Sequence, residues 1–358
     1  MISIIGAGPV GCFSAISAIE NGNDVEIFEA QKIENRKVKC SGLVSVSGIF
    51  QLSLSLPNDC ILNKVRGAKI FSPSGKEILI NAKEEKAFVL DRRKFDNFLL
   101  NRAIDRGAVF KNEKISDLKK IKGKRIVLAT GTNYNLQKKL NLPTPKKFLI
   151  GAQYEMKISC EKEFVELYFG KKIAPNFFSW VIPIDDNYGR VGLCTEKETI
   201  FYLKNFLRKL KKKGRIKNEK IFERNFGIIP IYDPKMKTQF DNIALVGDAA
   251  AQVKATTGGG IILGCIAAKF SHDEDYEKKW RKEIGKELYL HLQIRKFLNK
   301  LSDKNLERLF SLIDENKEII QEKGDMDLAS RIIFPLVKEP RFILNFLSKL
   351  PYFVCDLL

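Results

Sequence analysis

The residues best suited to chemistry lie at the start of the chain, where Gly6, Gly8 and Gly11 form a G-x-G-x-x-G sequence. Glycines at this spacing permit a tight turn, a close approach of the backbone to a pyrophosphate, and close packing of a helix on a strand. Glu29 follows eighteen positions after Gly11, where a carboxylate can accept hydrogen bonds from a ribose diol. Such glycines also occur in ordinary turns, but together with Glu29 they predict a dinucleotide site.

A second glycine-rich segment begins with Gly247 and Asp248 and continues through Gly258, Gly259, Gly260 and Ile261. A hydrophobic strand precedes it, so Asp248 should lie at a strand tip, where its carboxylate can bind a chain of sugar-like hydroxyls. The glycines expose N–H groups at a predicted helix start, which suits an anion or a ring carbonyl.

Two shorter segments could also contact a ligand. Cys40, Ser41 and Gly42 form a small-residue loop that permits close approach to a flat ring, although small residues also simply pack in turns. The thiol need not react. Arg92 follows a predicted strand directly and could reach a phosphate. Between two prolines, the aromatic run that includes Phe178 and Trp180 is either core or the apolar wall of a pocket.

The elements that position these residues indicate an α/β fold. Met1 to Ile5 is a buried strand, Cys12 to Glu20 has helical apolar spacing, and Asp24 to Phe28 is a second strand. Arg125 to Gly131 reads as a further strand of the same parallel sheet. Residues 67–80 and 148–195 show short alternating strands typical of antiparallel sheet. Beyond residue 271 the pattern is helical, with a buried stripe that includes Trp280.

Composition limits the possible partners. Lysine and arginine exceed aspartate and glutamate by 62 to 43, which gives a net charge of +19. This charge favours a polyanionic neighbour or reflects lysine-rich solvated faces. The helix near 200–220 and the apolar tail could contact an anionic membrane. Nucleic acid is not expected, because no aromatic residues alternate with the lysines.

The seven cysteines are scattered without a C-x-x-C pair, and there are two histidines. This pattern indicates a reducing compartment and no metal site. No apolar run reaches the length of a membrane span, and no signal peptide is expected ahead of residue 6. We therefore expect a cytoplasmic protein that is at most peripheral to the membrane.

Three separated segments resemble a flavin-dependent group that includes the aromatic hydroxylases and the geranylgeranyl reductases: the first glycine motif with Glu29, the segment Asp91-Arg92-x-x-Phe95-Asp96, and the Gly-Asp segment. The loop at Cys40 and the sequence Pro175-x-x-Phe178-x-Trp180-x-x-Pro183 are similar to the geranylgeranyl reductases in particular. This family usually has glycine at the position of Ala251, proline at Ala255 and tyrosine at Phe178.

The resemblance implies that the first segment binds the ADP half of FAD and that the Gly-Asp segment binds the ribitol and pyrophosphate. The implied cofactor-binding residues are Gly6, Gly8, Val10, Gly11, Glu29, Cys40, Ser41, Gly42, Arg92, Ile115, Ala129, Gly131, Gly247, Asp248, Gly259, Gly260 and Ile261. The implied substrate pocket contains Phe178, Trp180 and Pro183. The implied domains are a Rossmann-type FAD-binding domain (1–66, 85–135 and 240–270), an antiparallel-sheet substrate domain (67–84 and 136–239) and a helical C-terminal region (271–358).

The activity that the resemblance implies is FAD-dependent saturation of C=C bonds in geranylgeranyl chains of membrane lipids or their precursors, with Cys40 or a bound water as proton donor. One alternative is a flavoprotein hydroxylase, which the absence of an acid before Gly131 and of a following Ser and Arg disfavours. Another is a non-catalytic prenyl-lipid carrier, which would not need Glu29 or Asp248.

Electron supply is the last expectation. After residue 30 there is no second G-x-G-x-x-G behind a strand, so no dedicated nicotinamide domain is predicted. We expect an external donor, such as a ferredoxin or another small acidic protein, that the positive charge of the chain would attract.

Overall fold

The computed structural model describes residues 1–357, with the backbone alone for Asn35, Lys120 and Leu357. The strands, in chain order, are β1 (Ile2–Ile5), β2 (Val25–Phe28), β3 (Leu43–Ser45), β4 (Ile61–Val65), β5 (Gly67–Phe71), β6 (Glu77–Asn81), β7 (Ala87–Leu90), β8 (Val109–Lys111), β9 (Arg125–Leu128), β10 (Phe148–Lys157), β11 (Phe164–Tyr168), β12 (Ser179–Pro183), β13 (Tyr188–Thr195), β14 (Ile221–Pro230), β15 (Gln239–Phe240) and β16 (Ile243–Leu245).

The helices are α1 (Pro9–Glu20), α2 (Val46–Gln51), α3 (Arg92–Asp105), α4 (Asn135–Lys139), α5 (Thr199–Lys212), α6 (Ile261–Ala268), α7 (Tyr276–Trp280), α8 (Lys286–Lys300), α9 (Asp303–Glu315), α10 (Lys317–Lys323), α11 (Ser330–Leu336) and α12 (Pro340–Leu357).

The first sheet has the strand order β15-β16-β9-β1-β2-β8, and every pair except β15–β16 is parallel. All four residues of β1, β2 and β9 are buried, because helices cover both faces of a parallel sheet. Pro9 begins α1, where its missing N–H costs nothing. The α/β fold expected from the sequence is therefore the observed one, with its largest core between this sheet and α1, α3 and α6.

The second sheet has the order β14-β10-β13-β12-β11-β5-β6. Its pairs are antiparallel apart from β5–β11, which is parallel. The sequence predicted antiparallel strands throughout, and the difference arises because β5 and β6 join the edge of a sheet formed by a later part of the chain. The long edge strand β14 was not predicted, since its half-buried and exposed positions alternate but apolar and polar residue types do not follow that alternation. Helix α5 covers one face, where Leu203, Phe206 and Leu210 are buried.

A small third sheet, in the order β3-β7-β4, positions two parts of the site. Leu43 pairs with Val89 in the antiparallel β3–β7 ladder. The loop before β3 and the residues after β7 therefore lie side by side. This brings Cys40 next to Arg92, at the start of α3, whose N-cap Asp91 accepts hydrogen bonds from the first turn.

The C-terminal region is helical, as the sequence indicated. Trp280, Ile284, Leu288 and Leu292 are buried in the main core. Further along, α9 and α12 pack against β6, and Phe353 is fully buried there. Within residues 1–357, every helix is too short or too polar to traverse a bilayer.

Candidate functional site

The first glycine motif forms a cradle between β1 and α1. A Cβ atom on Gly6, whose φ is +109°, would lie 2.3 Å from the Ala129 carbonyl oxygen. A Cβ on Gly11 would lie 1.9 Å from the Gly6 carbonyl oxygen, so both positions need glycine for packing. Gly8 differs, because a Cβ there would meet no atom within 4 Å. Gly8 therefore leaves its space open to a ligand at the N-terminus of α1.

Glu29 stands at the end of β2, where it is buried. Its carboxylate accepts the N–H of Ala7 at 2.9 Å, the N–H of Gln31 at 2.9 Å and a hydrogen bond from Arg36 at 2.8 Å. Two carboxylate oxygens offer about four acceptor positions. One position therefore remains for a ribose hydroxyl.

Arg36 and Arg92 flank the buried carboxylate of Asp96. Arg92 donates to Asp96 Oδ1 at 2.9 and 3.1 Å, and Arg36 Nη1 lies 3.7 Å from Asp96 Oδ2. Burial raises the pKa of Asp96, and the two guanidinium groups oppose that shift. Burial also disfavours the charge of Arg92, but the attraction of Asp96 prevails and raises the pKa of Arg92. Among the described residues, Arg36 Nη1 has no hydrogen-bond partner, which leaves a buried donor beside the glycine cradle.

Asp248 lies just beyond β16, after Gly247, whose φ of +64° turns the chain. Within the described residues, no group donates a hydrogen bond to its carboxylate and no basic side chain forms an ion pair with it. Burial raises the pKa of Asp248 to about 6, and Arg92 acts in the opposite direction. A half-buried acceptor of this kind, which lines the cavity, fits the hydroxyl chain of a ribitol.

The side chain of Val10, in the first turn of α1, lies against Gly247 and against Gly264 in α6. A Cβ on Gly247 would lie 3.1 Å from its side chain, and one on Gly264 would lie 2.9 Å from it. The start of α1 can therefore approach α6 closely. Ala251 shows a second backbone feature of this segment, with a φ of +53°. This left-handed conformation explains why glycine suits the position, and alanine adopts it only with strain.

The loop at Cys40 is held from the second sheet. Arg190 donates to the carbonyl oxygens of Ser41 at 2.7 Å and Leu90 at 3.1 Å. Gln153 accepts the Trp180 indole N–H at 3.0 Å. Gly42 has a φ of +74°, and a Cβ there would lie 2.4 Å from Arg190 Nη1. The loop conformation thus requires glycine at this position.

These features line one continuous cavity of about 1990 Å³. Its nucleotide end contains Glu29, Arg36, Arg92 and the first glycine motif. Its other end, which we call the apolar arm, runs between the second sheet and the segment 320–335. The arm is lined by Val65, Ala68, Ile70, Ile80, Val165, Leu167, Phe177, Phe178, Trp180, Ile182, Ile320, Met326, Ile332 and Phe334.

Most residues that the resemblance implied lie on this cavity. Those that line it are Gly6, Gly8, Val10, Gly11, Glu29, Cys40, Ser41, Arg92, Ile115, Ala129, Gly131, Gly247, Asp248, Gly259, Gly260, Ile261, Phe178 and Trp180. Two do not. Gly42 shapes the loop behind the wall, and Pro183 lies at the far end of β12, where its carbonyl accepts from Asn63 at 3.0 Å. The sequence could not show that Pro183 lies away from the cavity, because the spacing of residues along a strand does not tell which end of the strand faces the cavity.

Sequence reasoning missed several residues that position the site. Arg36 lies in a polar loop without a pattern, and Gln153 and Arg190 lie on strands far along the chain.

Lys254 was missed as well. It forms a buried ion pair with Asp327, which also accepts from Ser45 and so joins α2, the second glycine segment and the C-terminal region. A single lysine in the stretch of small and apolar residues before the glycines was the one available signal in the sequence.

His291 adds to the same junction. Its ring nitrogens lie 2.6 Å from Thr256 Oγ1 and 3.1 Å from the Asp327 carbonyl oxygen. Burial lowers the pKa of His291, because the charged ring loses its contact with water. Across the described residues, no group of His, Cys, Asp and Glu is arranged to hold a metal ion. The residues of the site join a polar nucleotide end to an apolar arm in one cavity.

Comparison with known proteins gives three findings. The model of the geranylgeranyl reductase catalytic domain matches residues 148–229. A digeranylgeranylglycerophospholipid reductase of Methanocaldococcus jannaschii is 29% identical, over 90% of this chain and 92% of the relative. An uncharacterised protein of the same organism is 30% identical, over 94% of both chains.

Among solved structures, a geranylgeranyl bacteriochlorophyll reductase-like protein from Thermoplasma acidophilum has the same fold. Its TM-score is 0.80 at 22% identity, over 97% of this chain and 98% of that chain. Flavin-dependent halogenases share the fold more distantly. The architecture seen here is therefore the one found in flavin enzymes.

Proposed function

Because this chain belongs to the geranylgeranyl reductase family, we propose that it is an oxidoreductase that saturates C=C bonds of geranylgeranyl chains with a bound flavin. The observation that carries the proposal is the single cavity, whose nucleotide end continues directly into the apolar arm. A cofactor and a prenyl chain can therefore lie against each other in one continuous space. Relatives named as reductases of digeranylgeranylglycerophospholipids support membrane lipids or their precursors as the substrate class.

We propose FAD as the flavin. Gly8 leaves room for a pyrophosphate, Glu29 keeps one acceptor position for the ribose, and Asp248 offers an unsatisfied carboxylate for the ribitol. The buried Arg36 Nη1 is a further donor that a dinucleotide would satisfy. The residues present thus fit both halves of FAD.

When bound and reduced, the flavin supplies the hydride that adds to one alkene carbon. The chain provides the remaining parts of the reaction. The apolar arm holds the alkene and excludes water, which orients the reacting carbons and prevents side reactions. Phe177 and Phe178, whose rings stack at 4.3 Å between centroids, form part of the wall of the arm.

Cys40 is our candidate for the residue that protonates the other alkene carbon. It lies on the cavity wall, and Arg92 interacts with its thiol. A proton passing from sulfur to carbon leaves a thiolate, which the neighbouring guanidinium would stabilise until solvent returns the proton. A bound water held by the same residues is the alternative. Cys40→Ser keeps a weak donor in place, and Cys40→Ala removes it.

For electron supply we propose an external carrier, such as a ferredoxin, rather than a nicotinamide. The sequence has one dinucleotide motif, and its positive charge would steer an acidic partner. Anaerobic stopped-flow tests this point. Rapid, salt-sensitive flavin reduction by reduced ferredoxin is expected, and reduction by NADPH at the rate of turnover would contradict it.

We further propose a cytoplasmic location with peripheral attachment to an anionic membrane. We also propose the division into an FAD-binding domain, a substrate domain on the second sheet and a helical C-terminal region. The three sheets and the separate cores support that division.

The decisive experiment combines cofactor extraction with product analysis. The purified protein should be yellow and should release FAD, identified by mass spectrometry. After anaerobic reduction it should convert a geranylgeranyl lipid in detergent to products heavier by one H₂ for each saturated bond. A colourless protein that takes up no flavin, or a flavoprotein whose product carries added oxygen, would contradict the proposal.

A further inference from the structure

Two strongly exposed phenylalanines lie on the wall of the cavity. Phe50, in α2, is 85% exposed, and Phe334, in α11, is 58% exposed, yet both line the cavity. A side chain that both faces solvent and lines a cavity marks the place where the cavity opens. We call this place the apolar mouth. Large apolar side chains at such an opening are costly in water, which indicates that something covers them.

The two sides of the apolar mouth are fixed to each other. Ser47 in α2 donates to Asp325 Oδ2 at 3.1 Å, and Ser45 at the N-cap of α2 donates to Asp327. Arg331, in the first turn of α11, forms an ion pair with Asp325 at 3.0 Å. The positions of Phe50 and Phe334 are therefore set by a polar junction whose Ser45–Asp327 contact is buried and whose contacts to Asp325 lie at the surface.

The chain that continues from α11 is basic as well as apolar. From residue 330 to residue 350 there are four basic residues and one acid, Glu339. Arg331 pairs with Asp325 and Lys349 with Glu315, so Lys338 and Arg341 are the basic residues of this stretch without an ion pair among the described residues. Val337, Ile343, Leu344 and Leu347 in the same stretch are exposed. Exposed apolar groups that alternate with lysine and arginine are typical of surfaces that rest in the headgroup region of an anionic bilayer.

The lysine-rich helix α5, which the sequence suggested as a membrane contact, has a different arrangement. Its apolar residues Leu203, Phe206 and Leu210 are buried against the second sheet. Its exposed residues are Ile200 and Phe201 at the start of the helix and the basic Lys204, Arg208, Lys211 and Lys212. Phe201 is 56% exposed but does not line the cavity. It provides a matched control for the mouth residues.

We propose that the apolar mouth is the surface that docks on an anionic lipid bilayer and through which the prenyl chain passes from the membrane into the apolar arm. This proposal rests on the proposed function for the identity of the chain that enters. Insertion of Phe50 and Phe334 would place the opening of the arm at the level of the acyl chains, while Lys338 and Arg341 contact lipid phosphates. The lipid would then reach the site without crossing water.

The test uses the full-length flavoprotein and vesicles of phosphatidylcholine with or without phosphatidylglycerol. Phe50→Asp and Phe334→Asp should each weaken sedimentation with the anionic vesicles about tenfold or more, because a phenylalanine that inserts into the bilayer is replaced by a charge. Phe201→Asp should bind as the wild type does. The ratio of turnover on vesicle-embedded lipid to turnover on lipid in detergent should fall in parallel for the two mouth variants.

A second measurement does not depend on the acidic variants folding. Phe50→Trp keeps an apolar side chain, and its added fluorescence should be quenched by lipids with brominated acyl chains, whereas that of Phe201→Trp should not. Absence of quenching at position 50, or quenching at position 201 alone, would overturn the proposal. Light scattering that shows a dimer dissociated by Phe50→Asp would also overturn it, since a second copy would then cover the mouth.

The two proposals fail in different ways. If the wild type reduces no geranylgeranyl lipid in detergent, the proposed function fails, whatever the vesicle binding. If it reduces that lipid but binds vesicles equally well with and without the mouth substitutions, the docking surface fails and the function stands.

Discussion

Asp248 offers the sharpest test of the cofactor site. Its replacement by asparagine should stabilise the flavin-free protein and at the same time weaken FAD binding. In the folded protein its pKa is about 6, compared with an ordinary value of 3.8. The difference of about 2.2 units corresponds to about 3 kcal/mol at 1.36 kcal/mol per unit. Since the side chain opens onto the cavity, water screens part of this penalty, and we expect about 1–2 kcal/mol.

The sign follows from proton binding. The folded state holds the proton of Asp248 more tightly than the unfolded chain does, so stability decreases as the pH rises from about 4 to about 6. Above that range the full penalty is present, and below it the penalty disappears. Asp248→Asn removes the titrating group with little change in shape. The flavin-free variant should therefore be more stable than the wild type at about pH 8 and nearly equal to it at about pH 4.

Flavin binding should change in the other direction. A carboxylate that accepts hydrogen bonds from ribitol hydroxyls contributes about 1.5–3 kcal/mol, so Asp248→Asn should weaken FAD binding about tenfold to a hundredfold. Denaturant unfolding of the flavin-free protein and titration with FAD measure the two effects. Asp105→Asn, at an exposed position of α3, is the control and should change neither. A variant less stable than the wild type at high pH, or a stability difference that does not vary with pH, would refute the reasoning.

Four further substitutions test the backbone and the nucleotide end. Ala251→Gly should raise the thermal unfolding temperature, because it relieves a φ of +53° that costs alanine about 1 kcal/mol; an unchanged or lower temperature would contradict this. Gly42→Ala should destabilise the protein by about 1–3 kcal/mol, since its Cβ would collide with a guanidinium at an unfavourable φ. Gly8→Ala should leave the unfolding of the flavin-free protein unchanged but weaken FAD binding about tenfold or more, as its Cβ fills only the open space of the cradle. Glu29→Gln should also weaken FAD binding and should destabilise the flavin-free protein, because Arg36 loses its closest counter-charge; calorimetry separates the two effects.

The sequence alone determined the parts of the protein that depend on local patterns. The strand, glycine turn and helix at residues 1–20 follow from apolar runs and from backbone positions that only glycine adopts. The antiparallel strands between residues 148 and 195 were recognisable from alternation, because side chains on a strand face opposite sides in turn. Glu29 and Asp248 could be placed at strand ends, since the carboxyl ends of parallel strands meet at one edge of a sheet.

The tertiary structure decided how these parts meet. Arg36 reaches Asp96, Arg190 holds the loop at Ser41, and Lys254 joins Asp327 across long separations in the chain. No local periodicity encodes such pairs, because each depends on the packing of complete sheets. The same is true of the cavity. Its apolar arm exists only because the segment 320–335 folds back over the second sheet, and its mouth lies where α2 and α11 face solvent together.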